Sequence, residues 1–294
     1  MECIVHLESV RKVFRDTIAV RDVCLNIVGG ARVGVVGENG AGKSSLFNLI
    51  LGTARPTSGD VRVFGLNPHL HAEAVRERIG FVSAHHPFYK WMKIRELLQF
   101  VRPFYPRWNR DFEKELLESL SISLKKHVGE LSTGMLARVA LLLSLAHEPD
   151  LLIFDEPFTG LDAVSRDEIQ RSIKRYLDRK RDRSILLATH HPEEIRRLVD
   201  SILILSDGNL VYDKPIKNIG ESIKRVHLEC SPEASLDGVA MIRSQRTSHG
   251  WILIVHNWHE GMTSRIEQVS GGRVTDICPV DLEDCLLIRS EDDE

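Results

Sequence analysis

The sequence predicts an α/β fold with a mostly parallel core sheet, an antiparallel flap, a helical subdomain and a small C-terminal α+β domain. Short apolar runs alternate with helical patterns, which favours a parallel sheet with crossover helices. A glycine-rich segment follows the first core run, and after Asp213 the pattern changes to short strands around a helix. The predicted core strands are Val33–Val36, Ile79–Val82, Leu151–Phe154, Ile185–Ala188 and Ile202–Leu205.

The other elements of the first domain follow from the same patterns. Residues from about 90 to 145 are predicted to be helical and to form the separate subdomain. A helix from Ala163 to about Lys180 is rich in charged side chains, which is more typical of a solvated outer face than of a nucleic-acid surface. The predicted flap strands are Ile4–Leu7, Val23–Ile27 and Val61–Phe64, and a short helix covers Ser45–Leu51.

The glycine-rich segment has the spacing of a phosphate-binding loop. Glycines allow the backbone to approach phosphate oxygens closely, and consecutive N–H groups then curl around the anion. Lys43 is predicted to reach the β- and γ-phosphates, Ser44 to ligate Mg²⁺, and Ser45 to contact the α-phosphate. A strand-to-helix turn without a ligand is the alternative. The predicted nucleotide-binding residues are Gly37, Glu38, Asn39, Gly40, Ala41, Gly42, Lys43, Ser44 and Ser45.

Two further segments carry chemistry. Asp155 and Glu156 end an apolar strand, so Asp155 is a candidate to hold Mg²⁺ and Glu156 to polarise an attacking water. Taken alone, an Asp-Glu pair is as consistent with a turn or a helix cap.

The segment Leu131–Met135 precedes a helical pattern over Leu136–His147, and Ser132 is a suitable N-cap. An ordinary capped core helix is the alternative there.

The order and spacing of these motifs resemble the ATP-binding cassette (ABC) family of P-loop NTPases, over roughly residues 4 to 215. The resemblance implies a RecA-like core that binds ATP and Mg²⁺. It also implies that Phe14 stacks on adenine, and that His190 senses the γ-phosphate and helps to hold the attacking water. Asp162 would cross the dimer seam. Ser132 and Gly134 of one copy would close on the γ-phosphate held by Lys43 of the other, giving a head-to-tail dimer.

A closer likeness concerns the partner. Residues Ile79–Met92 and Phe100–Trp108, together with Met135, look like the ATP-binding subunits of type-two exporters. The resemblance implies an integral-membrane permease as partner and a peripheral, cytoplasmic position on the inner face of the membrane. An apolar cluster has two interpretations, core packing or a socket for a helix of the permease: Phe88, Tyr89, Trp91 and Met92.

The chain departs from the family pattern at two positions. Ala84 stands where relatives carry Gln or Glu that contacts Mg²⁺ and reports the nucleotide state, and a methyl group does neither. Thr133 stands where a glycine is usual, and its β-branched side chain restricts the backbone near the phosphate. We therefore expect reduced closure. His85 or a water molecule is a candidate substitute for the missing amide.

Composition limits the functional class. A net charge of −3 provides no general field that attracts nucleic acid, and no nucleic-acid partner is expected. Five scattered cysteines without Cys-x-x-Cys spacing favour reduced thiols over a disulfide framework or a zinc site. No apolar run approaches the ~20 residues that span a bilayer, so any transport function requires another polypeptide.

The predicted domains are an ABC ATP-binding domain over residues 1–215, an accessory domain over 216–289 and an acidic tail over 290–294. The accessory domain is expected to contain strands at Val226–Glu229, Val239–Arg243, Trp251–Val255 and Val274–Cys278 and a helix at Met262–Val269. The leading function is the ATP-hydrolysing motor of an ABC exporter. The alternatives are a soluble ABC-type ATPase and a weakly hydrolysing, nucleotide-dependent regulatory protein.

Overall fold

A computed structural model describes residues 2–231, 236 and 238–286, and the predicted acidic tail over 290–294 lies outside these ranges. Strands, numbered along the chain, are β1 Cys3–Phe14, β2 Thr17–Val28, β3 Arg32–Val36, β4 Ser58–Val63, β5 Ile79–Ser83, β6 Leu151–Asp155, β7 Ser184–Ala188, β8 Ser201–Ser206, β9 Asn209–Pro215, β10 Ile223–Glu229, β11 Met241–Thr247, β12 Gly250–His256 and β13 Arg273–Pro279.

The helices alternate with these strands in the first part of the chain. They are α1 Lys43–Ile50, α2 Ala72–Arg76, α3 Ile94–Val101, α4 Arg110–Ser119, α5 Thr133–Leu145, α6 Ala163–Asp178, α7 Pro192–Leu198, α8 Ile219–Ser222, α9 Met262–Ser270 and α10 Leu282–Leu286. Within the described ranges, no helix is long and apolar enough to cross a membrane.

The core is a six-stranded sheet in the order β5-β6-β7-β3-β8-β9. All of its neighbouring pairs are parallel except β8 with β9. Its central strands are buried on both faces, which explains the continuous apolar runs in the sequence. The α/β fold with a mostly parallel sheet, a flap and a helical subdomain is confirmed.

The flap is a three-stranded antiparallel sheet in the order β2-β1-β4. Its first two strands each have 12 residues and are much longer than predicted. The pairing of β1 with β2 contains several register shifts between Cys3 and Val13, and Ser9 has a φ of +45°. These irregularities interrupt the alternation of apolar and polar residues, so the sequence pattern ends early although the strands continue.

The helical subdomain contains α3, α4 and α5, and a buried ion pair lies between its first two helices. Glu113 accepts hydrogen bonds from Arg102 Nη2 at 2.5 Å and from Trp108 Nε1 at 2.6 Å. Asn109 caps α4 by accepting from the N–H groups of Asp111 and Phe112. These contacts fix both ends of the segment between α3 and α4, which begins with a 3-10 helix at Arg102–Phe104.

The C-terminal region forms a four-stranded antiparallel sheet in the order β11-β12-β10-β13. The prediction of a strand at Val239–Arg243 was wrong in its limits, because the strand begins at Met241. Val239 N–H donates to the Leu236 carbonyl in a turn instead of pairing with β12. Ile242 and Ile254 join the apolar cluster of the parallel sheet. The proposed domain limits at 215 and 289 stay predictions.

Candidate active site

Three parallel strands end beside one another and bring the predicted motifs together. Asp155 of β6 pairs with Ala188 of β7, and Val35 of β3 pairs with the same residue. The phosphate loop, which follows β3, therefore begins beside the Thr-His pair that follows β7. The Asp-Glu pair at the end of β6 lies one strand further on. Ligands of open α/β sheets bind at this carboxyl edge.

The phosphate loop takes a shape that requires glycine at two positions. Gly42 has a φ of +105°, and a Cβ there would lie 2.2 Å from the Ala19 carbonyl oxygen of β2. Gly37 has a φ of +150°, and its Cβ would lie 2.3 Å from the Leu205 carbonyl oxygen of β8. The loop is therefore seated between β2 and the end of β8, without room for side chains at either glycine.

Lys43 spans the loop from the first residue of α1. Its ammonium donates to the carbonyls of Gly37 at 2.7 Å and of Glu38 at 3.0 Å. Burial lowers the pKa of Lys43, and the carboxylates of Glu156, Asp155 and Glu38 oppose this shift. Within the described residues, no side chain caps α1, so its first N–H groups and the positive helix end face the loop.

A polar cavity of about 210 Å³, which we call the nucleotide cavity, opens at this edge. Ser44 and Asp155 both line it and provide a hydroxyl and a carboxylate oxygen. Mg²⁺ prefers oxygen ligands and usually binds through one or two carboxylates plus phosphates and water, so this donor set fits the ion. The cavity is lined by Asn39, Gly40, Gly42, Lys43, Ser44, Ser45, Asp155 and Glu156. Glu38 and Ala41 line a smaller neighbouring cavity that also includes Asp207 and Ile242.

Glu156 is directed into the nucleotide cavity by a sharp bend of the backbone. Its φ is +52°, in the left-handed region, and its N–H donates to the Ala188 carbonyl at 2.9 Å. The carboxylate accepts a hydrogen bond of 2.9 Å from His190 Nδ1. A carboxylate held by an imidazole beside a bound phosphate can orient and polarise a water molecule.

The predicted closing residues lie apart from the nucleotide cavity of their own chain. Ser132 is exposed and caps α5 by accepting from Met135 N–H at 3.3 Å. Asp162 is exposed and caps α6 through Ser165. A Cβ on Gly134 would lie 2.7 Å from Ser165 Oγ, so the tips of the two helices pack together. They form one exposed edge, to which Thr133 also belongs.

Phe14 ends β1 and is 48% exposed. The Lys12 ammonium lies 4.6 Å from its ring centroid. Phe14 does not line the nucleotide cavity, although the following strand, β2, contacts the phosphate loop at Ala19. Its ring is therefore available to a base that extends from the loop along the flap.

A second, mostly apolar cavity of about 490 Å³ lies between the core sheet and the helical subdomain; we call it the apolar cavity. Sequence reasoning did not predict it. The members of the apolar cluster at residues 88–92 differ in exposure: Met92 is buried, whereas Tyr89 is 54% and Trp91 67% exposed. The apolar cavity is lined, among others, by Asn48, Leu51, Arg76, Phe81, His85, His86, Phe88, Val101, Tyr105, Leu143 and His147.

Sequence reasoning also missed the residues behind His190. His191 is partly buried, and the centroid of its imidazole lies 4.0 Å from that of His190. Glu194 is almost completely buried and contacts Thr189 and Arg166. The sequence feature that could have indicated Glu194 is its place on the first turn of a short helix, which begins at Pro192 directly after the two histidines.

Comparisons with known proteins agree with this geometry. The ABC transporter family profile matches residues 20–159. Over 228 residues the chain is 32% identical to the ABC transporter ATP-binding protein NatA of Bacillus subtilis (strain 168), covering 75% of this chain and 90% of that protein. It is 33% identical to Nod factor export ATP-binding protein I of Neorhizobium galegae (74% and 64% covered). It is 30% identical to the sulfate/thiosulfate import ATP-binding protein CysA of Escherichia coli (strain K12), with 88% and 72% covered.

The fold is also similar to a solved ATP-binding cassette, MJ0796, a dimer in a post-hydrolysis state bound to ADP and Pi. The TM-score is 0.63 at 24% identity, over 72% of this chain and 98% of that one. This likeness concerns the fold, while the relationship to NatA extends to the sequence over most of both proteins. The chain belongs to the family of ABC transporter ATP-binding proteins, P-loop NTPases that bind and hydrolyse ATP.

Proposed function

We propose that this chain is the motor subunit of an ABC exporter, in which binding of two Mg-ATP closes a dimer and hydrolysis reopens it. The observation that carries the proposal is the hydrogen bond between Glu156 and His190 at the rim of a cavity lined by Lys43 and Asp155. Ser44 and Asp155 would hold Mg²⁺, which neutralises charge on the phosphates when it is bound.

The catalytic roles follow from the position of each group. Glu156 orients and polarises the water that attacks the γ-phosphorus, and the bond to the β–γ bridging oxygen breaks to give ADP and phosphate. His190 fixes the Glu156 carboxylate through Nδ1. Lys43 and the loop N–H groups stabilise negative charge on the phosphate oxygens, and Phe14 stacks on the base.

Dimer closure is supported by the exposure of the residues assigned to it. Ser132, Gly134 and Asp162 lie on one exposed edge and not in the nucleotide cavity of their own chain. An exposed helix N-terminus attracts phosphate. A two-fold axis therefore allows each copy to complete the site of the other, and the dimeric state of MJ0796 is consistent with this arrangement.

A membrane permease is the proposed second partner, with the chain peripheral on the inner face of the membrane. The apolar cavity and the exposed Tyr89 and Trp91 offer an apolar contact surface next to β5. Export is supported by the resemblance of residues 79–92 and 100–108 to type-two exporters. The Nod factor export relative agrees with it, whereas the sulfate import relative leaves import as the alternative direction.

A weakly hydrolysing regulatory protein is a second candidate because of Ala84. This residue follows Ser83, which pairs with Asp155, so it lies next to the proposed Mg²⁺ ligand. Its methyl group provides no ligand for the ion and no hydrogen bond to water. Thr133, which is exposed between Ser132 and Gly134, also favours the regulatory protein.

ATP turnover by the purified chain separates these candidates. We expect Glu156→Gln to lower kcat by about 100-fold or more, because it removes the group that polarises the water. Glu193→Gln is the matched control, since Glu193 is exposed on α7 and outside the site. Wild-type turnover indistinguishable from Glu156→Gln, with and without the permease, would support the regulatory protein.

A further inference from the structure

Glu194 is a buried carboxylate that lies outside the nucleotide cavity and has no role in the mechanism above. It sits on α7 with a relative exposure of 1%. Burial raises the pKa of Glu194 to about 7, against the hydrogen bond from Thr189 and the charge of Arg166. An apolar side chain would fill this space at lower cost, because burying an ionisable group is unfavourable unless its contacts offset it.

The first contact of Glu194 fixes the backbone around His190. Thr189 Oγ1 donates a hydrogen bond to Glu194 Oε2. The same hydroxyl oxygen accepts from His191 N–H at 3.1 Å. The residues on either side of His190 are therefore tied to one point on α7, while the His190 side chain remains exposed and contacts Glu156.

The second contact reaches the helix that carries the proposed seam residue. Arg166 Nε lies 3.5 Å from Glu194 Oε1. Arg166 is in the first turn of α6, and its N–H donates to the carbonyl of Asp162 at 3.0 Å. Arg197 of α7 also contacts α6, through Asp167 at 2.7 Å and Gln170 at 2.9 Å. The two helices are thus joined along one face.

We infer that Glu194 is a positioning residue that couples the loop ending at Asp162, here called the seam loop, to His190. A hydrogen bond joins Asp162 to Arg166, and an ion pair of 3.5 Å joins Arg166 to Glu194. Glu194 is in turn bonded through Thr189 to the segment that carries His190, whose imidazole contacts Glu156. A displacement of the seam loop on dimer closure is passed along this chain to the imidazole, which then holds the Glu156 carboxylate in place. The inference rests on the proposed catalytic roles of His190 and Glu156.

A double-mutant cycle on hydrolysis tests this inference. Glu194→Gln is expected to lower kcat about 10-fold with little change in KM for ATP, as substitutions of orienting residues typically do. In a His190→Ala background the same substitution is expected to change the rate by less than about twofold, because Glu194 acts through the imidazole. Single-turnover hydrolysis of radiolabelled ATP keeps the slow rate of the His190→Ala protein measurable.

An equal fold-loss in both backgrounds, or no loss in the wild-type background, overturns the inference. A wild-type rate for His190→Ala would instead overturn the assigned role of His190, and this result is seen before Glu194 is changed. Glu193→Gln controls for a charge change on the same helix turn.

A second pair of variants decides the matter if Glu194→Gln does not fold. Thr189→Val removes only the hydroxyl that joins Glu194 to the histidine segment, whereas Thr189→Ser keeps it. We expect a loss of kcat with valine and its recovery with serine, while thermal unfolding of both variants is monitored. Equal rates for the two variants contradict the coupling.

Discussion

The nucleotide cavity and the apolar cavity are built in opposite ways. The first is lined by residues of two short motifs, 39–45 except Ala41 and 155–156. The second is formed by side chains from elements between Asn48 and His147. Local spacing specifies the first, and tertiary packing specifies the second.

This difference determines which changes each cavity tolerates. At the nucleotide cavity the backbone shape is decisive, so one added methyl group has a large effect. At the apolar cavity the area and placement of side chains are decisive, so losses are smaller and are spread over several residues. The predictions below test this contrast in order of expected size.

The largest effect is expected for Gly42→Ala. The substitution places a Cβ 2.2 Å from the Ala19 carbonyl and requires a φ of +105° that alanine adopts at a cost. Strain of about 2 kcal/mol or more corresponds to roughly 30-fold weaker ATP binding. Isothermal titration calorimetry measures it.

Gly65→Ala is the matched control for Gly42→Ala. Gly65 also has a positive φ, +77°, but a Cβ there meets no atom within 4 Å and the residue lies outside both cavities. Its affinity for ATP should equal that of the wild type. Equal ATP affinities for the Gly42 and Gly65 variants would show that the loop does not depend on close backbone approach.

A smaller effect is expected for Trp91→Ala, in the apolar cluster that begins at Phe88, a residue that lines the apolar cavity. Trp91 is 67% exposed, and loss of an aromatic anchor at an interface typically costs 1–2 kcal/mol, or about 10-fold in affinity. Binding to the permease in detergent, measured by surface plasmon resonance, should weaken while ATP affinity is retained.

Leu70→Ala controls for the loss of an exposed apolar side chain, since Leu70 is 72% exposed and lies outside the cluster of residues 88–92. Unchanged permease binding by Trp91→Ala together with a lower melting temperature would favour the core-packing interpretation of the cluster.

The last prediction concerns His147 and is a change in stability with pH, not in affinity. Burial lowers the pKa of His147 to about 4, from 6.5 in an unfolded chain, although its Nε2 donates to the Ile79 carbonyl. Between these values the unfolded state binds a proton that the folded state excludes, so stability falls as pH decreases. The contribution is at most about 1.4 kcal/mol per pH unit.

Urea unfolding at several pH values between 4.5 and 7 measures this contribution. A His147→Phe variant lacks the titrating group and keeps a ring beside Tyr105, so its free energy of unfolding should decrease less steeply on acidification. Parallel slopes for the two proteins would show that His147 takes up a proton equally in the folded and unfolded states, so that burial does not lower its pKa.

The same contrast explains how much could be predicted from the sequence. The order of core strands and helices and the residues around Lys43, Asp155 and Glu156 follow from local patterns, because neighbouring residues carry them. The apolar cavity could not be predicted, since Tyr105 and His147 stack at 4.1 Å only after the helical subdomain has packed on the core sheet. Glu194 was missed for a similar reason, as its partner Arg166 lies on another helix.

The central claim is that the ATP site of one copy is completed by the exposed edge of a second copy, which carries Ser132, Gly134 and Asp162. Analytical ultracentrifugation of Glu156→Gln in saturating Mg-ATP tests it directly, because we expect this variant to bind ATP and to hydrolyse it about 100-fold more slowly. We predict a shift from monomer to dimer that is absent in ADP and abolished by an added Ser132→Arg substitution on the exposed edge. A protein that stays monomeric in Mg-ATP across the accessible concentrations would contradict the account.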